Sequence, residues 1–150
     1  MAFLSPNDQN EIKRLFEQLS GDVRLIHFTQ RESPLFLPGQ ECETCKDTRL
    51  LLEEIVGLSD KIHLEVHDFV AENEIAREHA IDRIPALVMT ADGVKGKVRY
   101  FGMPSGYEFS VLLGSLLDAS LGKSALSEET VEVLQGLDQD LHIQVFVTPT

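Results

Sequence analysis

The sequence predicts an α/β fold: a four-stranded mixed sheet in a three-layer arrangement, flanked by helices, with one extra helix and strand at the C-terminal end. Three observations predict it. Helical and strand periodicities alternate as α, β, α, β, α, β, β, α up to about Gly122. A strand, helix, strand order demands parallel pairing through a right-handed crossover. The last two strands flank the turn signal Asp92-Gly93, which pairs them as an antiparallel hairpin under the final helix.

Each element has its own warrant. Ser5-Pro6 reads as an N-cap followed by proline at the first helical position, and Ile12, Leu15, Phe16 and Leu19 recur at helical spacing until Gly21. Val23 to Thr29, VRLIHFT, carries consecutive apolar positions, as a strand covered on both faces does. A loop with two prolines and a glycine, from Gln30 to Glu41, leads to Cys42, where helical spacing resumes through Cys45, Thr48, Leu52 and Ile55 up to Gly57. Lys61 to Phe69 alternates, with Ile62, Leu64 and Val66 on one side and His63, Glu65 and His67 on a polar side. Glu72 to Ala80 is a short helix. Pro85 lacks a ladder donor and so belongs at the start of the strand Ala86 to Thr90, which VRYFG answers. Ser105 to Leu121 closes the unit with Phe109, Leu112, Leu113, Leu116 and Leu117 inward.

Beyond Gly122 the opening pattern begins again. Leu126 and Val131 bracket a Ser127 cap, a helix runs to about Leu137, and LHIQVFVTPT is a strand. The expected organisation is a domain over 1–122, with 123–150 as the start of a second, similar unit.

Composition bounds the function. The chain has 150 residues, 43% hydrophobic and 25% charged, enough for one packed domain. Against 25 acidic residues stand 13 basic ones, a net charge of −12, which repels phosphate backbones and argues against a nucleic-acid partner. The longest apolar stretch, from Ser110, contains Asp118 and falls short of the ~20 residues of a membrane span. No signal-peptide pattern opens the chain, so the expected location is the cytoplasm. There a C-x-x-C pair is more often catalytic or metal-binding than a structural staple.

Cys42 and Cys45, in ECETCKD, are both the cysteines of the chain, and they fall between a buried strand and a helix. Free N–H groups at a helix start favour a thiolate. This context assigns Cys42 as the more exposed attacking thiol and Cys45, on the apolar face, as the resolving partner of a thiol–disulfide exchange. Two other readings stand beside it. The pair could be small packing residues. It could also be half a zinc site, in the extreme a zinc-bridged dimer, although His63 and His67 stand ~13 Å apart along a strand and cannot ligate one ion together. His63 and His67 are expected to be solvated on a polar face, His27 to be a hydrogen-bonded core residue, and His79 to answer a helix dipole; His142 carries no assignment.

Four segments, ECETCKDTRLLLEE, IDRIPALVM, VRYFGMPSGYEF and LDQDLHIQVFVTPT, carry a resemblance that spans nearly the whole chain. The sequence resembles the thioredoxin and glutaredoxin superfamily, and within it the glutaredoxin-like protein disulfide oxidoreductases built from two tandem thioredoxin-fold units. The resemblance implies the N-terminal unit plus the opening of the second, a cis bond at Ile84-Pro85 beside the cysteines, and substrate pairing on that backbone. It implies protein disulfide or dithiol substrates and a thiol electron donor, with neither cofactor nor metal. Two departures stand out. The loop RESPLFLPGQ is long, and Glu41 and Glu43 flank the nucleophile, each costing the thiolate about 0.8 kcal/mol at ~5 Å in water. Lys46, Arg49 and the helix terminus oppose this, so a sluggish, reducing site is expected. The alternative function is a redox-inert scaffolding or interaction module. The tail IQVFVT offers an edge strand that is expected to dock on the main sheet, swap between chains or pair with another copy, the last two being routes to a homo-oligomer.

Overall fold

The computed structural model describes residues 2–31 and 41–148. In chain order the elements are α1 (Pro6–Phe16), β1 (Val23–Thr29), α2 (Cys45–Val56), β2 (Ile62–Asp68), α3 (Asn73–Glu78), β3 (Ala86–Ala91), β4 (Val98–Phe101), α4 (Tyr107–Leu121) and α5 (Glu128–Gln135). Ser5 caps α1 as expected, in a reciprocal box: its Oγ accepts the Asp8 N–H at 3.2 Å, while the Asp8 carboxylate accepts the Ser5 N–H at 3.1 Å.

The sheet order is β2-β1-β3-β4. β1 runs parallel to β2, with Val23 opposite Ile62 and Thr29 opposite Asp68, and antiparallel to β3, with Phe28 opposite Ala86. β3 and β4 form the expected antiparallel hairpin. The two central strands, β1 and β3, are covered on both faces, which is why their sequences read as continuous apolar runs. On one face Val23, Leu25, Leu87 and Met89 pack under α1, α2 and α4 through Phe16, Leu52, Ile55, Leu112 and Leu116. On the other, Ile26, Phe28 and Val88 pack with Ala76 of α3 and Ile81.

The ends of the layers are tied by polar contacts. Ser120 Oγ accepts the N–H groups of Ser20 and Gly21 at 2.9 and 3.0 Å and donates to Gly21 O at 2.6 Å, fastening the end of α4 to the turn before β1. At the same corner the hairpin turn meets the helix end: a Cβ built on Gly93 would stand 2.7 Å from the Gly122 Cα.

Three expectations are corrected. Helix α2 begins at Cys45, not Cys42, because Glu43 and Thr44 form a turn in which the Cys45 N–H reaches Cys42 O at 3.4 Å. The run 141–148 takes no sheet partner among the described residues, and a strand exists only through one. Its side chains Ile143, Val145 and Phe146 lie exposed. His67, expected to be solvated, is buried. The cause is the length of α3: six residues span about 9 Å against about 23 Å for a seven-residue strand, so α3 covers this face at one end only. His63 lies at the open end and His67 at the covered one. The long loop expected at RESPLFLPGQ lies, after Arg31, outside the described residues. Among the described residues no helix is long and apolar enough to cross a membrane.

Candidate active site

The C-terminal end of β1 supports the cysteine pair. One residue past the strand, Gln30 offers its Oε1 to the Cys42 N–H at 2.9 Å, so the end of this central strand holds the backbone of the motif. Cys42 and Cys45 are joined by a disulfide, with Cα atoms 5.4 Å apart. Their environments differ: Cys42 is half-buried, whereas Cys45, first residue of α2, is 2% exposed and sits on the face with Leu52. Thr48, one turn on, sends both its N–H and its hydroxyl to Thr44 O, at 2.9 and 2.7 Å, which closes the first turn of the helix beneath the motif.

The start of β3 lies at the same end of the sheet. The Ile84-Pro85 bond is cis. Pro85 is held by its own carbonyl, which accepts the Gly102 N–H at 2.8 Å, while the backbone N–H and C=O of Ile84 have no backbone partner among the described residues. Beside them Arg83 lies over the Phe101 ring, 5.4 Å from its centroid, and pairs with Asp82 at 2.8 Å. The register that sets Phe28 opposite Ala86 thus brings the two predicted halves of the site, Cys42 with Cys45 and Ile84 with Pro85, to one sheet end.

His27 lies in the core between these halves. It is fully buried, and its Nδ1 stands 3.0 Å from Ala86 O; a carbonyl only accepts, so Nδ1 carries the proton. Nε2 has no partner. Burial holds this imidazole below its usual pKa, with Arg49 acting the same way against the opposing pull of the Ala86 and Cys45 backbone and of Glu53. The expectation of a hydrogen-bonded core histidine is met on one nitrogen and not on the other.

The charges expected to balance around the thiolate are differently engaged. Glu41 and Glu43 are exposed, and Arg49 is committed to Glu53 at 2.8 Å one helical turn on. Sequence reasoning missed Gln30, which lies outside any motif, and the set around His67: Nε2 meets Glu65 at 2.7 Å and Nδ1 meets Glu72 at 3.0 Å. The signal for the latter was the polar side of β2, where Glu65 and His67 alternate in step. Of the remaining histidines, His79 caps the C-terminus of α3, His63 is exposed 3.6 Å from Asp22, and His142 meets Arg99 at 3.3 Å. A groove lies between α1 and the start of α4, lined by Phe3, Ile12, Met103 and Phe109 among others, and contains none of the four predicted site residues.

Known proteins share this fold. A protein disulfide oxidoreductase from Aeropyrum pernix K1 superposes with a TM-score of 0.82 at 23% identity, over 99% of this chain and 62% of that one. The fold is thioredoxin-like. The N-terminal domain of alkyl hydroperoxide reductase AhpF from Enterococcus faecalis matches with a TM-score of 0.71 at 18% identity, over 87% of this chain and 59% of that one. Among curated sequences, the alkyl hydroperoxide reductase AhpF of Xanthomonas campestris pv. phaseoli is 33% identical over 96 residues, 64% of this chain and 16% of that protein. The thioredoxin-like chain thus spans under two thirds of each of these relatives. No protein-family model matches it.

Proposed function

We propose that the chain is a thiol:disulfide oxidoreductase unit. The observation that carries this reading is the disulfide between a half-buried Cys42 and a buried Cys45 at the sheet end where cis Pro85 also stands. In the reduced unit the Cys42 thiolate attacks one sulfur of a substrate disulfide, forming a mixed disulfide and expelling the other sulfur as a thiolate, which takes up a proton. The Cys45 thiolate then attacks Cys42 Sγ, releases the bound substrate sulfur and leaves the Cys42–Cys45 disulfide. Two electrons pass to the substrate and the pair is oxidised; a thiol donor of the surrounding reducing compartment, the cytoplasm, restores it. Neither a cofactor nor a metal enters.

The N–H and C=O of Ile84, without a backbone partner among the described residues, offer an extended substrate segment two main-chain hydrogen bonds beside the reacting sulfurs. Substrates are therefore protein disulfides or dithiols presented on extended segments. Residues 1–122 form the working domain, and 123–150 resemble the start of a second unit of the same kind; the match over 99% of this chain to 62% of the Aeropyrum pernix protein supports that division.

A Cys45→Ser variant tests the reading. It retains the attacking sulfur without the resolving one, so it accumulates mixed disulfides with a disulfide-containing protein such as oxidised insulin, and Cys42→Ser accumulates none. Equal trapping by both variants, or by neither, refutes the assignment and leaves a redox-inert scaffold. Zinc bound stoichiometrically to the purified reduced chain refutes it in favour of a metal-bridged dimer.

A further inference from the structure

Four acidic and imidazole groups at the end of β2 form a connected set outside the cysteine pair. Both ring nitrogens of His67 face carboxylates, Glu65 at 2.7 Å and Glu72 at 3.0 Å. The other oxygen of Glu72 accepts the Asp68 N–H at 2.8 Å. Asp68 in turn gathers three backbone donors: Oδ1 takes the N–H groups of Val70 and Ala71 at 3.0 and 2.7 Å, and Oδ2 takes the N–H of Arg31 at 3.0 Å. Arg31 follows Gln30, whose side chain holds the Cys42 N–H. The set therefore ends two residues along the chain from the β1 exit and one residue from a direct contact with the nucleophile's backbone.

We infer that Glu65, His67, Glu72 and Asp68 are a proton-operated clamp on the β1 exit, regulating the presentation of Cys42; the inference rests on the function proposed above. An imidazolium donates from both nitrogens and satisfies both carboxylates. A neutral imidazole has one N–H, so its bare nitrogen then faces a carboxylate oxygen at 2.7 or 3.0 Å, lone pair against lone pair, and one of the two contacts opens. If Glu72 is released, the acceptor for the Asp68 N–H is released with it. Burial works against the charged ring, yet the hydrogen bonds from Glu72 and Glu65 carry its pKa above 6.5, so the change falls on the neutral-to-alkaline side of that value.

The neighbours on each element are compatible with this. From β1 the ring stacks on Phe28 at 5.6 Å between centroids, an apolar wall. Glu65 and Asp68 come from β2 itself, Glu72 from the turn before α3, and the ring of His79, at the end of α3, lies 5.8 Å from that of Phe28 between centroids. Arg31 adds its charge to Asp68 and Glu72, helping to hold both carboxyls below their usual range behind the hydrogen bonds that dominate.

The test uses the oxidised chain, where the cysteines do not titrate, so it reads the clamp without turnover. Amide exchange of Asp68, Arg31 and Cys42, divided by intrinsic rates, is followed from pH 6 to 9 beside the NMR titration of His67. Protection at Asp68 should fall about fivefold, the ratio for losing one hydrogen bond, with the midpoint of His67, and protection at Arg31, held by the same residue's carboxylate, should fall with it. Glu72→Gln keeps an oxygen for the Asp68 N–H but removes charge, and should move both midpoints together to lower pH. His67→Gln should remove the pH dependence. Protection that stays flat through the His67 titration, or that falls unchanged in His67→Gln, overturns the clamp. The rate at which a phosphine opens the Cys42–Cys45 disulfide should rise across the same midpoint; no rise while protection falls overturns the regulatory link. Failure of the Cys45→Ser trap instead defeats the proposed function and leaves the exchange result untouched.

Discussion

Replacing His27 by leucine separates the two nitrogens of a buried imidazole. At pH 7.5 the variant loses the hydrogen bond to Ala86 O, worth about 1 kcal/mol, and is relieved of a buried, unpartnered Nε2, a burden of about 1–3 kcal/mol. Ala86 O is left without that donor, so the two effects oppose each other at similar size and the variant should unfold within about 2 kcal/mol of the parent at pH 7.5. Acid moves the balance toward the variant. The folded state holds His27 below the usual 6.5 through burial, so below that value the unfolded chain binds the extra proton and parent stability falls. From pH 7.5 to 5.5 the loss has an upper limit of about 1.4 kcal/mol, reached where the folded imidazole stays neutral throughout. His67 has the opposite sign, contributing fully below 6.5 and losing its contribution as pH rises through its raised folded value, but it is common to both chains and cancels. Urea unfolding of both oxidised proteins at the two pH values measures the double difference. A parent and variant that lose equal stability between pH 7.5 and 5.5 refute a buried, neutral His27.

Other perturbations have defined outcomes. Ser120→Ala strips the acceptor from two N–H groups joining α4 to the turn before β1 and should cost about 1–3 kcal/mol in urea; a loss under about 0.5 kcal/mol means water replaces the hydroxyl fully. Gln30→Leu removes the acceptor of the Cys42 N–H and should speed exchange of that amide about fivefold, with no change at Leu52 in α2; an unchanged Cys42 rate removes Gln30 from the site. Phe146→Asp, at a position 86% exposed, should leave stability within about 0.5 kcal/mol of the parent; a larger loss, or a dimer that it dissociates in sedimentation, means the tail is covered in solution.

What could be read in the chain divides by where the determinants lie. β1 was legible to the residue because both its faces are buried, so Val23 to Phe28 must be apolar almost throughout, and Gly21 and Gln30 bound it. The Cys42–Cys45 disulfide was legible because the spacing lets the two sulfurs meet, and the cis bond at Ile84-Pro85 only through the family resemblance, since proline alone marks no more than a strand start. The start of α2 was misplaced because a turn of Glu43 and Thr44 looks like a helical turn in periodicity, and only the backbone distinguishes them. His67 was misread for a different reason: alternation in β2 gives the side of the sheet, but burial depends on how far α3 reaches, which is a tertiary quantity. The tail from Leu141 has the composition of a strand, and pairing needs a partner that its own sequence does not contain.

Among the described residues Cys45 is sealed at 2% exposure while Cys42 is half-buried. Under the proposed chemistry a client can capture the unit at a single point, and its release is then a first-order event inside one molecule, indifferent to how many other clients are waiting. Dwell time on the unit becomes a property of the fold, set by how readily the first turn of α2 lets the inner sulfur swing outward.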